Sequence, residues 1–278
     1  MNALEKHLIY KSLNSLLIIS HDIESGLHSH HALQVSISLD EPFIFESNND
    51  ESKVKSLFQG VIIGADIPHS LQGTKGLYAT LLLDPELHPV KHILGHHQTT
   101  GFVEIDTERL DKMSRFIHVL IAAKMSGNKA VIDQPIEHLL AILSQSDCMQ
   151  EQEPRVAKVI QYIAQTEYKV ASVETLAHLV GLSSGRLIHL FKEEVGIPIR
   201  RYLLWQRLLD ACAYASLHAH EEVNCDGKSD MTLTDAAYQA GFTDSAHFSR
   251  TFKAMFGLHP SGFIKKGHMI MSTKDFRK

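Results

Sequence analysis

The sequence predicts an α+β chain of two domains, a strand-rich front half followed by an all-helical rear part. Three observations carry that prediction. Short apolar runs separated by turns fill residues 8–83, a three-and-four apolar period takes over from about residue 106, and one helical phrase occurs twice in the last third.

The front half predicts strands at 16–20, 33–39, 42–46, 54–58, 61–63 and 78–83, each rich in Val, Ile, Leu and Phe. Many short strands at this spacing predict a small β-barrel or a double-sheet jelly roll. Asn48, Asn49, Asp50 and Glu51 predict a turn. From residue 106 to 125, Leu110, Met113, Phe116, Ile117, Leu120 and Ile121 recur at helical spacing. This stripe predicts an amphipathic helix that either covers the barrel or meets a second copy of the chain. A second helix follows on Ile132, Ile136, Leu139, Leu140 and Leu143, with Pro135 near its start. The polar run 144–153 predicts a connection between domains, which sets a front domain at 1–147, a linker at 148–153 and a rear domain at 154–278.

In the rear domain, Pro154 suits a first helical position, and Ser172 predicts the cap of the next helix. Helices are predicted at 173–180 and 184–195. Pro198 opens a long one that runs to about residue 217. Thr232 and Asp235 start another, and 244–256 is the last.

Composition bounds the function. With 44% hydrophobic and 21% charged residues, the chain reads as a soluble globular protein, and no apolar run is long enough to cross a membrane. Residues 13–19 make a poor secretory leader. Three widely separated cysteines, with no C-x-x-C pair, frame neither disulfides nor a zinc knuckle, so a reducing cytoplasm is expected. Net charge is −5, yet residues 1–150 carry 11 basic and 18 acidic side chains while 151–278 carry 16 and 14. An acidic front and a mildly basic rear fit a sensor joined to a nucleic-acid reader.

The repeated phrase is the most specific signal. Ala177, Gly181, Leu187, Phe191 and Lys192 recur as Ala237, Gly241, Phe248, Phe252 and Lys253, at offsets of 60 and then 61 residues. Each copy predicts a helix-turn-helix. A small residue allows close helix approach, and a glycine takes the turn's positive φ. A short polar residue, Ser183 or Asp244, caps the helix that follows. In such units the second helix enters the major groove. Gly185, Ile188 and His189 are therefore predicted to meet base edges in the first unit, with Ser183, Arg186 and Lys192 near phosphates. In the second unit Ser245, Ala246, Ser249 and Arg250 are predicted to face the groove, with His247 and Lys253 toward the backbone. Leu187, Leu190, Phe191, Phe248, Phe252 and Phe256 are predicted core. A long helix of about 22 residues spans about 33 Å, near one DNA turn of about 34 Å.

The run from Gly241 through Arg250, Phe252, Gly257 and Pro260 to Phe263 resembles the signature of the AraC/XylS family of transcription regulators. The first copy, Gly181 to Lys192, is similar to that family's first helix-turn-helix. The resemblance covers residues 154–266 and implies two reading units on adjacent major-groove segments of double-stranded promoter DNA. It also admits RNA polymerase and a second copy of the chain as partners. The segment 218–230 is longer than the family's usual connection.

More weakly, Gly26, His28, His30 and Gln34, then Gly64, Pro68 and His69, resemble the two motifs of a cupin barrel, the usual sensor in such regulators. Metal-binding cupins bring two histidines, a carboxylate and a later histidine together. Here Gln34 stands at the carboxylate position, and an amide is a weak ligand without charge. The expectation is therefore a pocket of His28, His30, Gln34 and His69 for an organic effector, walled by Val35, Ile37 and Leu81, with no metal and no other cofactor. His88, His92, His96 and His97 are expected in a solvated loop. The chain is expected not to be an enzyme. Two rivals remain, a metal-dependent cupin enzyme with a helical appendage and an adaptor whose helices bind protein.

Overall fold

The computed structural model describes residues 8–12, 15–49, 52–73, 76–85, 87, 90, 93, 101–126, 135–144, 153–165, 172–218, 233–257, 259–260 and 269–272. The strands are β1 (Leu8–Ser12), β2 (Ser15–Ser20), β3 (Ile23–His28), β4 (Leu33–Ser38), β5 (Phe43–Asn49), β6 (Ser52–Phe58), β7 (Gly60–Ile63), β8 (His69–Gly73), β9 (Tyr78–Leu83), β10 (Phe102–Glu104) and β11 (Met269–Ser272). They form a seven-stranded sheet in the order β10-β7-β4-β9-β2-β1-β11 and a four-stranded sheet in the order β3-β8-β5-β6.

The closed barrel expected from the sequence is therefore corrected. Among the described residues no ladder joins the two sheets, and each stays open at its edges. The double-sheet alternative is what forms. The six predicted strands are all present. β1, β3, β8, β10 and β11 lack long apolar runs and escaped the sequence pattern. Of the expected turn at 48–51, Asn48 and Asn49 are strand residues that pair with Lys53 and Ser52, and residues 50 and 51 lie outside the described residues.

Strand alternation gives the large sheet two buried faces. Leu17 and Ile19 of β2, Leu33, Val35 and Ile37 of β4, and Ala79, Leu81 and Leu83 of β9 point one way, into a core shared with helices. These are α1 (Thr107–Ser126) and α2 (Pro135–Ser144). Asp106 caps α1 by accepting from the Arg109 N–H at 2.9 Å. The apolar stripe on α1 covers the sheet, with Met113, Ile117, Leu120 and Ile121 buried. Of its two predicted uses, covering is the one observed.

On the opposite face Val61, Ile63 and Tyr78 meet Ile23, Phe43, Phe45 and Leu71, partly from the small sheet. The rest of that face, Ile9, Leu16 and Leu82, is covered differently. The rear helices are α3 (Pro154–Gln165), α4 (Val173–Leu179), α5 (Ser184–Val195), α6 (Ile199–His218), α7 (Leu233–Gln239) and α8 (Ser245–Phe256). Trp205, Leu208 and Leu209 of α6 and Phe248, Phe252 and Phe256 of α8 complete one core with Ile9, Leu16, Ala32 and Leu82. The helix-side core likewise runs on through Val156, Val159, Leu176 and Phe191 to Tyr202. The C-terminal β11 adds to the sheet by pairing in parallel with β1. Residues 145–152, most of the expected linker, and the long connection at 219–232 lie outside the described residues, as do His88, His92, His96 and His97.

A charged pair also joins the two parts. Arg201, in the first turn of α6, donates from Nε and Nη2 to the two carboxylate oxygens of Asp84 at the end of β9, both at 3.0 Å. Asp84 is fully buried and Arg201 is 20% exposed. A bidentate pair out of water is strong once formed, and removing one partner leaves a buried charge without it. Arg201→Ala is expected to cost about 3–5 kcal/mol in urea unfolding. Adding Asp84→Ala should then restore part of that loss, and simple additivity of the two losses would show that the pair is not coupled.

Candidate nucleic-acid interface and ligand site

Both predicted helix-turn-helix units are present and built alike. In the first, Gly181 has φ +67 and Leu182 N–H donates to the Ala177 carbonyl at 2.9 Å. In the second, Gly241 has φ +85 and Phe242 N–H donates to the Ala237 carbonyl at 3.0 Å. A side chain other than hydrogen is disfavoured at such a φ. Ala177 and Ala237 are both buried, which is the close approach that a small residue permits. Ser183 caps α5 by accepting from Arg186 N–H, and Asp244 caps α8 by accepting from His247 N–H. Each helix then ends on a left-handed glycine, Gly196 or Gly257.

The two reading helices also share a burial pattern. Gly185, Arg186, His189, Lys192 and Glu193 are exposed on α5. Ala246, His247, Arg250, Lys253 and Ala254 are exposed on α8 at the same positions, 61 residues later. Exposure at i, i+1, i+4, i+7 and i+8 is one stripe of a helix. Leu187 with Phe191, and Phe248 with Phe252, hold the opposite face in the core. Ser183 is exposed at the turn before its stripe. Ile188 and its counterpart Ser249 are half-buried at the stripe's edge, as is Ser245, and Ile188 packs partly against the core. Those three sit less favourably for a groove than the sequence suggests. The His247 ring lies edge-on to Phe242 at 5.6 Å. The chemistry of the stripes differs, because His189 on α5 stands where α8 presents Arg250. The long helix α6 that joins the units has 20 residues, a length of about 30 Å.

The four predicted ligand-site residues converge at the junction of the two sheets. His28 ends β3, His30 lies in the β3–β4 loop, Gln34 is on β4 and His69 starts β8. His28 pairs with His69 across the small sheet. The ring centroids of His28 and His69 are 4.5 Å apart, those of His30 and His69 5.1 Å, and those of His28 and His30 5.4 Å. His30, Gln34 and His69 are buried, and His28 is half-buried.

One hydrogen-bond pattern repeats at all three rings. Nδ1 faces a backbone carbonyl, that of Gly26 for His28 at 2.7 Å, Ala32 for His30 at 3.0 Å and Ile67 for His69 at 2.8 Å. A carbonyl only accepts, so each Nδ1 carries the proton. In the neutral ring the Nε2 lone pair is then free to accept. Burial favours that neutral form. Desolvation, against the support of its Ile67 hydrogen bond, pushes the His69 pKa down to about 3, and desolvation also lowers that of His30. Nε2 of His69 is buried and, among the described residues, has no hydrogen-bond partner. Nε2 of His30 lies 2.8 Å from Gln34 Oε1, and a neutral ring with its proton on Nδ1 would need that amide turned to present its NH2 instead. Gln34 in turn meets Ser36, and Ser36 meets Thr80, so a short polar row crosses the sheet's inner face.

The expected apolar walls are corrected. Val35, Ile37 and Leu81 lie in the helix-side core, because adjacent strand residues point to opposite faces and Gln34 takes the inner one. The wall instead comes from the rear helices. His31 N–H donates to the Ala254 carbonyl at 3.0 Å, and Ala32 N–H donates to that of Met255 at 3.3 Å. A Cβ on Gly257 would stand 2.3 Å from His28 Cδ2 and 2.9 Å from both His28 Nε2 and His30 Cδ2. The end of the second reading helix thus sits on the histidine cluster. Sequence reasoning missed this contact. It also missed Asp66, which holds a positive φ of 61, donates its N–H to the His30 carbonyl at 2.8 Å and faces His31 Nδ1 at 3.1 Å.

A family model described as a helix-turn-helix domain matches residues 176–266, which span both units. The arabinose operon regulatory protein of Salmonella typhimurium is 27% identical over 175 residues, 59% of this chain and 57% of that protein. The HTH-type transcriptional activator RhaS of an Enterobacter species is 34% identical over 44% of this chain and 41% of that protein. The chain thus spans about half the length of these curated relatives. The probable transcription factor PqrA of Proteus vulgaris is 32% identical over 97 residues, 35% of this chain and 70% of that protein. With two helix-turn-helix units of matched geometry joined by one long helix, and relatives of this kind across them, the chain belongs to the AraC/XylS family of transcription regulators.

Proposed function

We propose that this chain is a sequence-specific regulator that binds double-stranded promoter DNA through α5 and α8 and senses a small-molecule effector at the His28, His30, Gln34 and His69 site. One observation carries the DNA reading. Two helices present the same exposed stripe 61 residues apart on two capped, glycine-turned units. A solvated helix face needs no such duplication, and two reading helices on one rigid spacer do. The reading assigns residues 154–278 to DNA and residues 1–147 to sensing, with 148–153 between them. It places the work in the cytoplasm, where RNA polymerase can be met, and assigns binding rather than catalysis. No described helix is long and apolar enough to cross a membrane. A second copy of the chain fits such a regulator through the part of α1 left exposed around Val119 and Met125.

Within the units, phosphate contacts hold position and base contacts specify. Lys192 and Lys253 occupy equivalent exposed positions late in each helix, and Arg250 occupies the middle of its stripe. The effector would act by population shift, through different affinities for different arrangements of the two parts.

Binding of the full chain to a selected promoter fragment is expected to weaken linearly in log affinity against log salt, as counterions return to the phosphates. Lys192→Ala and Lys253→Ala should each lower that slope by about 1. Fluorescence anisotropy across a salt series checks this, and a folded protein that binds DNA at no salt concentration sinks the DNA reading in favour of a protein-binding adaptor.

The two units are expected to contribute unequally. Arg250→Ala should cost about 1–3 kcal/mol on the cognate fragment. His189→Ala, at the matching position, should cost less. A loss at Arg250 that is the same on random DNA would show that this arginine grips phosphate instead of a base.

A further inference from the structure

We propose that His28, His30 and His69 form a site for one divalent transition-metal ion, and that its occupancy holds the C-terminal end of α8 against the front sheet. The inference rests on reading these side chains as the ligand site, and it names the ligand class. The organic ligand expected from the sequence followed from the missing charge at Gln34. The structure adds what the sequence could not show. Three imidazoles are enough to hold zinc.

Four observations support a metal. One nitrogen of each ring lies within 4.8 Å of one nitrogen of each of the others. Tetrahedral bonds of about 2.0–2.1 Å place ligand nitrogens about 3.3 Å apart, so the rings close in by up to about 1.5 Å to take an ion. Each Nδ1–H is tied to a backbone carbonyl, the outer hydrogen bond that a metal-bound histidine usually makes, and this fixes Nε2 as the lone-pair side. Among the described residues Nε2 of the fully buried His69 has no partner. Gln34 Oε1 already lies 2.8 Å from His30 Nε2, so the amide oxygen faces the nitrogen that would hold an ion.

The coupling follows from who else touches the same loop. His28 and His30 flank and form the β3–β4 loop, and the next two residues, His31 and Ala32, donate their N–H groups to Ala254 and Met255 in the last turn of α8. An ion that ties this loop to β8 presents both donors in fixed positions. The C-terminal end of a helix also carries partial negative charge, which favours a cation beside it. Gly257 makes room, since any Cβ there would collide with the His28 ring. Metal binding and the seating of α8 therefore favour each other, and such linkage is reciprocal.

Zinc and cobalt are the probes, and the full chain is the sample. Trp205 is the single tryptophan, buried against Phe256 with ring centroids 5.2 Å apart, so its emission reports the seating. We expect one Co2+ per chain with the visible absorption of an ion bound by nitrogen in low coordination. Zn2+ should protect Trp205 from acrylamide quenching. His28→Gln, at the least buried of the three rings, should remove both effects. Gly257→Ala changes no ligand yet should weaken Co2+ binding at least about five-fold, the lower end of ordinary site-to-site coupling. Gly196→Ala imposes the same left-handed strain at the end of α5 and should leave it unchanged. Metal binding with no change at Trp205, or equal effects of the two glycine variants, overturns the coupling. A folded chain that binds neither ion overturns the metal. In that last case thermal shifts with a panel of organic metabolites decide the broader reading. A shift that His28→Gln abolishes keeps the effector site and rejects only the ion, and no such shift rejects both.

Discussion

The large sheet has two apolar faces, and the small sheet is too narrow to cover one of them. Everything else in the arrangement depends on how that remaining face is hidden. Ile9, Leu16, Ala32 and Leu82 are buried by Trp205, Phe252 and Phe256, aromatic residues from the long spacer helix and from the second reading helix. Losing a buried aromatic side chain typically costs about 3–5 kcal/mol, so this seam is comparable to an ordinary core. The Asp84–Arg201 pair lies beside it and fixes its register, since a bidentate pair tolerates little displacement.

The two reading units are copies locally and differ in context. α5 packs into the helix-side core with α3, α4 and the start of α6. α8 packs against the front sheet and ends on the histidine cluster. The second unit is the one whose last turn is hydrogen-bonded to the loop carrying His30 and His31. That unit also presents Arg250, exposed at the position where the first unit presents His189. A regulator that signals by differential affinity needs such an element, one that both the ligand site and the DNA surface can bias.

The cluster itself is a polar island between apolar cores. Gln34, Ser36 and Thr80 continue it along one row of the inner face, each meeting the next. Buried polar groups are costly unless paired, and among the described residues His69 Nε2 is left without a partner. Such exceptions in a folded protein point to function more than to packing.

Much of this was legible in the sequence. The duplicated phrase determined two helix-turn-helix units, because Ala177 and Ala237, Gly181 and Gly241, and the caps Ser183 and Asp244 act through neighbours within a few residues. Helical period and strand alternation determined six strands and the positions of the main helices for the same reason. Two motifs also brought forward His28, His30, Gln34 and His69, which come together in the structure. The tertiary structure alone decided that the sheets stay open, that Val35, Ile37 and Leu81 face away from the histidines, and that Gly257 closes over them. It alone paired Asp84 with Arg201 across 117 positions and β1 with β11 across the chain. These are long-range choices about which apolar face meets which. They depend on total buried area and on hydrogen-bond partners far apart in the chain, and no local pattern encodes them.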